Sequence, residues 1–410
     1  MSIVAGRAPR RALIAGGSLG GLFAGNLLHR AGWDVQIFER ADALLAGRGA
    51  GIATHPSLFD ALARAGVPSD EVVGVSVSGR VTLDRCGATV GEVALPQVFT
   101  SWSRLYGLLM DAFPRSRYHL GKTVTRVVEE GDAVFACFDS GERIGADLLV
   151  AADGIRSAVR GQFLPEVKPQ YAGYVAWRGL VDERTLSRHT LDTLFERFGF
   201  CLPPGEQMLG YPVAGPDNEV MTGARSYNFV WYRPADEHTE LPELLTDASG
   251  RVHDMAIPPN LLRPEVVAAM CADAEAKLAP QFAEIVRKTA QPLLQPIFDL
   301  ESPRLSFGRV AILGDAAYVA RPHCGMGVTK AAGDAVVLTD TLGGDVPLGE
   351  ALAQYEAKRS RFGRAVVEHA RNLGAYMQAQ VRNPVERAMA DRYRTPEAVM
   401  AETAVTRSFD

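Results

Sequence analysis

Ala12-Leu13-Ile14-Ala15-Gly16-Gly17-Ser18-Leu19-Gly20-Gly21, running on to Asp34-Val35-Gln36-Ile37-Phe38-Glu39, decides how this chain begins. Residues 12–15 are a short apolar run, the pattern of a strand buried on both faces. Glycines end it, and Leu19, Leu22, Phe23, Asn26, Leu27 and Arg30 follow at helical spacing. Residues 34–39 alternate and end in an acid, as a second strand does. This is a βαβ unit. At its glycine turn, backbone N–H groups and the positive end of a helix converge on one point, which suits a diphosphate. Gly16 permits the tight turn and Gly21 lets helix and strand approach. Ser18 stands where a second glycine is usual; it is small, and its hydroxyl adds a donor. Leu19 and Gly20 complete the loop. Glu39 lies 23 residues beyond Gly16, where a carboxylate accepts two hydrogen bonds from a ribose diol. The loop alone also reads as a glycine-rich turn without a ligand, and Glu39 weighs against that.

Working outward, the 410 residues allow two or three domains at roughly 100–200 residues each. A formal charge of −5 offers no basic surface of the kind a nucleic-acid binder needs, so no nucleic-acid partner is expected. Cys86, Cys137, Cys201, Cys271 and Cys324 are odd in number, widely spaced and never CxxC. That speaks against a disulfide framework and a zinc site, and no metal is expected. Arg7, Arg10 and Arg11 precede an apolar run too short for a signal peptide. No stretch has the length of a membrane span, so a cytoplasmic protein without a membrane partner is expected.

Further along, residues 75–100 are rich in Val, Ser and Thr and read as strands, and 105–113 are helical in period. Residues 123–128 and 133–138 read as a hairpin with 129–132 as its turn, and 147–151 as another buried strand. From 171 to 298 a mixed, β-rich region contains a helix at 264–277. Residues 309–313 return to a buried strand, followed by glycines and a long helix at 328–342. The last 70 residues read as mostly helical, with a loose tail at 395–410. Nucleotide-type patterning therefore stands at both ends of the chain, with another region between.

Two further motifs make the reading specific. Ala151-Ala152-Asp153-Gly154-Ile155-Arg156-Ser157 resembles the DG motif of the class A flavoprotein aromatic hydroxylases. Gly314-Asp315-Ala316-Ala317, with Pro322, Gly325, Met326 and Gly327, resembles that family's GD motif. With the first loop, the three stand in the family's order and spacing across residues 10–370. The resemblance implies an α/β fold: a discontinuous Rossmann-like FAD-binding domain (1–75, 100–170 and 300–370), an inserted mixed β-sheet substrate domain (76–99 and 171–299), and a C-terminal helical segment and tail (371–410). It implies bound FAD, held by Gly16, Ser18, Leu19, Gly20, Glu39, Arg40, Gly51, Val124, Asp153, Asp315, Pro322, Gly325, Met326 and Gly327. Asp315 is expected at the ribityl chain. The helix after Gly325-Met326-Gly327 is expected to point its N-terminus at the flavin's N1–C2 edge, where reduced flavin is negative. For Asp153 a turn with a helix cap is an equal alternative.

The implied reaction uses NADH or NADPH as a transient co-substrate and O2, and hydroxylates a small aromatic ring through a C4a-hydroperoxyflavin. The stretches at Gly16, at 171–179 and at 314–323 are similar to members acting on nitrogen heteroaromatics. 2,6-Dihydroxypyridine, hydroxylated at position 3, leads the expected rings; 6-hydroxynicotinate, salicylate and other hydroxybenzoates follow. A homodimer is implied by the resemblance alone. His55, in the loop 49–56, His323 and Tyr211 are the candidate catalytic residues, because a ring hydroxyl needs a base or donor nearby and histidine titrates near neutral pH. Trp177-Arg178 reads as a half-buried strand pair, and Cys324 as packing. One family feature is absent: Trp102 stands where many members carry a flavin-side arginine, with Arg104 nearby. A halogenase is disfavoured by the lack of a lysine-bearing tryptophan motif, and an NAD-only dehydrogenase by the C-terminal motif. A flavin-bearing redox sensor or carrier is the alternative of another class.

Overall fold

The structure, a computed structural model, describes residues 9–45, 51–380 and 383–405. Arg7, Gly49, Ala50 and the last five residues of the expected tail lie outside that set.

The first strand, Arg11–Ala15, sits between Asp34–Phe38 and Leu148–Ala151, parallel to both. Val310–Ile312 runs parallel on the far side of Leu148–Ala151. Four strands from distant stretches of chain thus form one sheet, completed at its edges by Tyr118–His119 and Ser306–Phe307. Parallel strands need helices on their faces, which is why these runs are continuously apolar. Helices Leu19–Arg30 and Gly327–Leu342 pack on each other, and Gly20 faces Ala331 across the seam. The two glycine-led helix starts are brought together in this way.

The hairpin forms from Val124–Glu130 and Ala133–Phe138. Its turn is shorter than the sequence suggests. Glu129 and Glu130 pair with Val134 and Ala133, and Gly131 at φ 60° makes the reversal with Asp132. Acids at an exposed strand end cost little, so charge alone was a poor marker of the turn.

The second body is an eight-stranded sheet organised on Gln170–Asp182, which pairs with Ser226–Pro234 and Leu293–Glu301. Helices Pro264–Lys277 and Pro280–Lys288 cover one face, where Trp177, Trp231, Met270 and Phe282 pack. The opposite face carries Phe198, Leu209, Tyr211, Val230 and Tyr232. Between the two large sheets, Gly51–Ala53 and Val75–Val77 pair with Gln97–Ser101 in a small sheet.

The expected loose tail is instead ordered through its described part. Pro396–Glu402 is a helix begun by Thr395, whose hydroxyl accepts from the Ala398 N–H. Val399, Met400, Thr403 and Ala404 are buried. Arg80, itself buried, draws the segment in: its Nη1 donates to the carbonyls of Met400 and Thr403 at 2.7 and 2.6 Å. The Thr-Pro-Glu start signal was in the sequence, but its burying partner lies more than three hundred residues away. Among the described residues, no helix is long and apolar enough to cross a membrane.

Candidate functional site

The face of the eight-stranded sheet opposite Pro264–Lys277 and Pro280–Lys288 looks across a cleft of about 320 Å³ at the start of Gly327–Leu342. On one side lie Asp315, Gly325, Gly327 and Val328; on the other, Tyr211, Tyr232, Leu209 and Val230. Thr403 and Ala404 of the C-terminal segment close one end. An aromatic-lined slot with a few convergent polar groups suits a flat ring.

The nucleotide end is built by backbone geometry. Gly16 has φ 100°, and a Cβ there would meet the Ala152 carbonyl oxygen at 2.4 Å. A Cβ on Gly17 would strike the Tyr118 hydroxyl at 2.2 Å, and that hydroxyl donates to the Gly17 carbonyl at 2.8 Å. Tyr118 thus pins the loop, a role without a sequence signal because it enters from a distant edge strand. Ser18 begins the helix and makes no side-chain cap bond, so its hydroxyl remains available. Leu19 packs inward. Glu39 is buried, and its two oxygens accept from the N–H groups of Gly17 and Ala41 at 2.8 and 3.0 Å. Each oxygen keeps a second acceptor site for a ribose hydroxyl. Arg40 follows at the surface, and Val124 is buried at the head of its strand.

The helix tip is equally open. Gly325 turns the chain at φ 65°, Met326 is a buried N-cap, and a Cβ on Gly327 would meet nothing within 4 Å. Pro322 lines the cleft beside them, and Gly51 lines the opposite wall with its N–H donating to Asn228 Oδ1 at 2.8 Å. A bare helix N-terminus, a diphosphate loop with an unspent serine hydroxyl and a ribose-type carboxylate fit FAD. Asp153 lies beside this loop, its Cα 3.0 Å from where a Cβ on Gly16 would stand, and its Oδ2 accepts from the Ala158 and Val159 N–H groups at 2.9 and 3.4 Å, next to the Ser157 N-cap of Ala158–Phe163. Arg104 does not stand in for the family's arginine. It is engaged by Glu71 and the Val72 carbonyl, while Trp102 lines the cleft and stacks on Tyr106.

Of the three catalytic candidates, two face the cleft. His323 lines it, and its Nε2 is hydrogen-bonded to the Tyr174 hydroxyl at 2.7 Å, while Nδ1 has no partner among the described residues. Burial, aided by neighbouring Arg321, pulls its pKa down to about 3. Tyr211 stacks on Phe99, and burial pushes its phenol up to about 12 despite Arg178 opposing. His55 is not on the cleft. It stands behind the helix tip, with Nδ1 3.1 Å from Thr329 Oγ1, and burial followed by Arg80 lowers its pKa to about 4. The strand Gly51–Ala53 lines the cleft, whereas His55, two residues beyond it, is the N-cap of Pro56–Ala65 and is not among the lining residues.

The half-buried pair divides. Trp177 lies in the helix-covered core, and Arg178, one residue on, lines the cleft. Its Nη1 donates to Gln295 Oε1 at 2.9 Å, and its Nη2 reaches the Gly51 carbonyl at 3.4 Å. Arg178 bears electrostatically on both Tyr211 and Tyr232, which places its charge within the aromatic slot. Strand alternation gave the signal; which face turns to the cleft did not follow from sequence.

Comparison with known proteins agrees with this geometry. Residues 171–299 match a family described as FAD binding domain-like, and residues 299–370 one described as FAD binding domain. The chain is 30% identical to 2,6-dihydroxypyridine 3-monooxygenase of Paenarthrobacter nicotinovorans, over 90% of this chain and 91% of that one. The solved structure of 2,6-dihydroxypyridine-3-hydroxylase from Arthrobacter nicotinovorans superposes with a TM-score of 0.85, at 29% identity, covering 93% and 96% of the two chains. A single-residue variant of Klebsiella pneumoniae HpxO, solved with FAD, superposes with a TM-score of 0.77 at 25% identity, covering 96% and 97%.

Proposed function

Since the chain belongs to the FAD-dependent aromatic hydroxylases, the class A flavoprotein monooxygenases, we propose that it hydroxylates a small hydroxylated pyridine, with 2,6-dihydroxypyridine and its position 3 the leading choice. Bound FAD, reduced by NADH or NADPH, supplies the oxygen-activating chemistry with O2. The residues of this chain bind, orient and shield.

The observation that carries the substrate class is Arg178 with Gln295 in an otherwise aromatic slot, across from the open helix tip. A hydroxypyridine that has lost a proton is an electron-rich anion, and a guanidinium in a low-dielectric slot stabilises it. His323 supplies the second polar contact. Its imidazolium is so disfavoured that the ring is neutral at pH 7, with one nitrogen a donor and the other an acceptor. Its neutral imidazole accepts a hydrogen bond from the ring hydroxyl at Nδ1, while Nε2–H donates to the Tyr174 hydroxyl at 2.7 Å, which fixes the ring's orientation. Tyr211, a neutral phenol, orients the ring from the strand opposite. Glu39 and residues 16–20 hold the FAD dinucleotide, and Asp315 its ribityl hydroxyls. The FAD-binding unit is taken as 1–75, 100–170 and 300–370, and the substrate unit as 76–99 and 171–299.

The test is direct. The purified protein should be yellow, and NADH or NADPH consumption should be coupled to product for a hydroxypyridine out of a panel that includes salicylate and hydroxybenzoates. Equal, uncoupled oxidation with every ring would remove the substrate assignment.

A further inference from the structure

Lys330 takes no part in the chemistry above. It lies in the first turn of Gly327–Leu342, is 1% exposed, and its Nζ makes no hydrogen bond among the described residues. Its ionic neighbour is Asp315, with Oδ1 at 3.6 Å, beyond hydrogen-bond reach. Asp315 is 55% exposed in its side chain and lines the cleft, so the carboxylate faces outward while the ammonium lies behind it. Lys330 also bears on the Cys324 thiol, which burial pushes up to about 11 against the lysine's pull. The amine therefore sits beneath the segment 324–327, under the helix tip. Other basic groups nearby are committed: Arg359 pairs with Asp334, and Arg321 with Asp299.

A buried charge without a hydrogen bond is costly, and an apolar side chain of similar volume would serve packing at least as well. Asp315, beyond hydrogen-bond reach and half exposed, offsets that cost only in part, so the ammonium is left able to act on a further negative group at the helix tip.

We propose that Lys330 is a positioning residue of the flavin site, orienting the Asp315 carboxylate toward the ribityl chain and placing fixed positive charge behind the helix tip where reduced flavin is negative. This rests on the flavin reading of the cleft. Positive charge there favours the reduced, anionic cofactor over the neutral oxidised one, so it raises the two-electron potential.

The experiment titrates FAD into apoprotein of wild type, Lys330→Met, Lys330→Arg and Asp315→Asn, measures the midpoint potential of each holoprotein against reference dyes, and melts each apoprotein. In Lys330→Met, affinity for reduced FAD relative to oxidised FAD should fall about tenfold, a potential lower by about 30 mV. Lys330→Arg should restore most of that difference. Asp315→Asn should shift the potential upward, because it removes the opposing charge. The Lys330→Met apoprotein should melt no lower than wild type. Equal potentials in Lys330→Met and wild type would overturn the proposal, as would a lower apoprotein melting temperature with the potential unmoved. Failure of the wild type to bind FAD would instead overturn the flavin reading itself.

Discussion

Arg178 and Trp177 are adjacent, yet one faces substrate and the other a helix-covered core. Period-two alternation makes that division certain for any strand, but not its direction. The strand also carries an irregularity between Tyr171 and Val175, with Gly173 at φ 85°, so its register could not be counted in from the end. Replacing Arg178 by Met removes a charged hydrogen-bond donor, a loss of about 2 kcal/mol, so KM for a hydroxypyridine should rise roughly thirtyfold. FAD affinity should stay unchanged, and a titration beside the kinetics checks that. Gly327 differs, since its motif alone marks it in the sequence as a candidate flavin contact. A Cβ there meets no protein atom within 4 Å, so Gly327→Ala should leave the apoprotein as stable or up to about 1 kcal/mol more so. With FAD placed as proposed, the same methyl stands where the ring approaches, and FAD affinity should drop at least tenfold. An apoprotein melt and a fluorescence titration separate the two effects.

The strands and long helices were readable because each carries its own periodicity: residues 12–15, 148–151 and 310–312 are apolar throughout, and Gly327–Leu342 keeps helical spacing. The C-terminal segment was not, because seven residues of helix hold too few turns for a pattern and are stabilised only by tertiary contact. Yet this element closes the cleft. Gln97 donates to the Ala404 carbonyl at 2.9 Å, the Ala404 N–H donates to the His323 carbonyl at 2.8 Å, and a Cβ on Gly325 would press on Ala404 at 2.8 Å. Thr403 and Ala404 thus form a wall beside the flavin loop. Truncation after Arg394 should admit water and lower the yield of hydroxylated product per NADH severalfold, with the balance appearing as hydrogen peroxide. Arg80→Met, which removes the anchor of the same segment, should do likewise. Product and peroxide assayed together report the outcome; coupling as tight as in wild type would show that the wall does not shield the site.

Across the molecule, neutral histidines stand at two junctions between distant elements. His55 joins the small sheet's side to Thr329 of the flavin helix, and His323 joins the flavin loop to Tyr174 of the large sheet. Both have pKa values lowered by burial, to about 4 and about 3, from an unfolded value near 6.5. The unfolded chain therefore binds more protons than the native one between those values and pH 6.5. Stability should then rise with pH across that window and level off above it, being lost as acid is added, at up to about 1.4 kcal/mol per pH unit for each histidine. The carboxylate Glu284, lowered to about 2, acts in the same direction but from about pH 4.5 downward; between pH 5 and 6.5, His119, also lowered by burial, adds to the slope, and Asp153, raised by burial, opposes it. Urea unfolding at pH 7.5, 6.5, 5.8 and 5 should show a steep fall below 6.5. His55→Asn should shrink that slope by less than half, since His323 and His119 still contribute, while leaving the cleft's polar contacts in place. An unchanged slope in the variant would mean that His55 is protonated in the folded protein, and that the junction behind the helix tip carries a charge the present geometry does not accommodate.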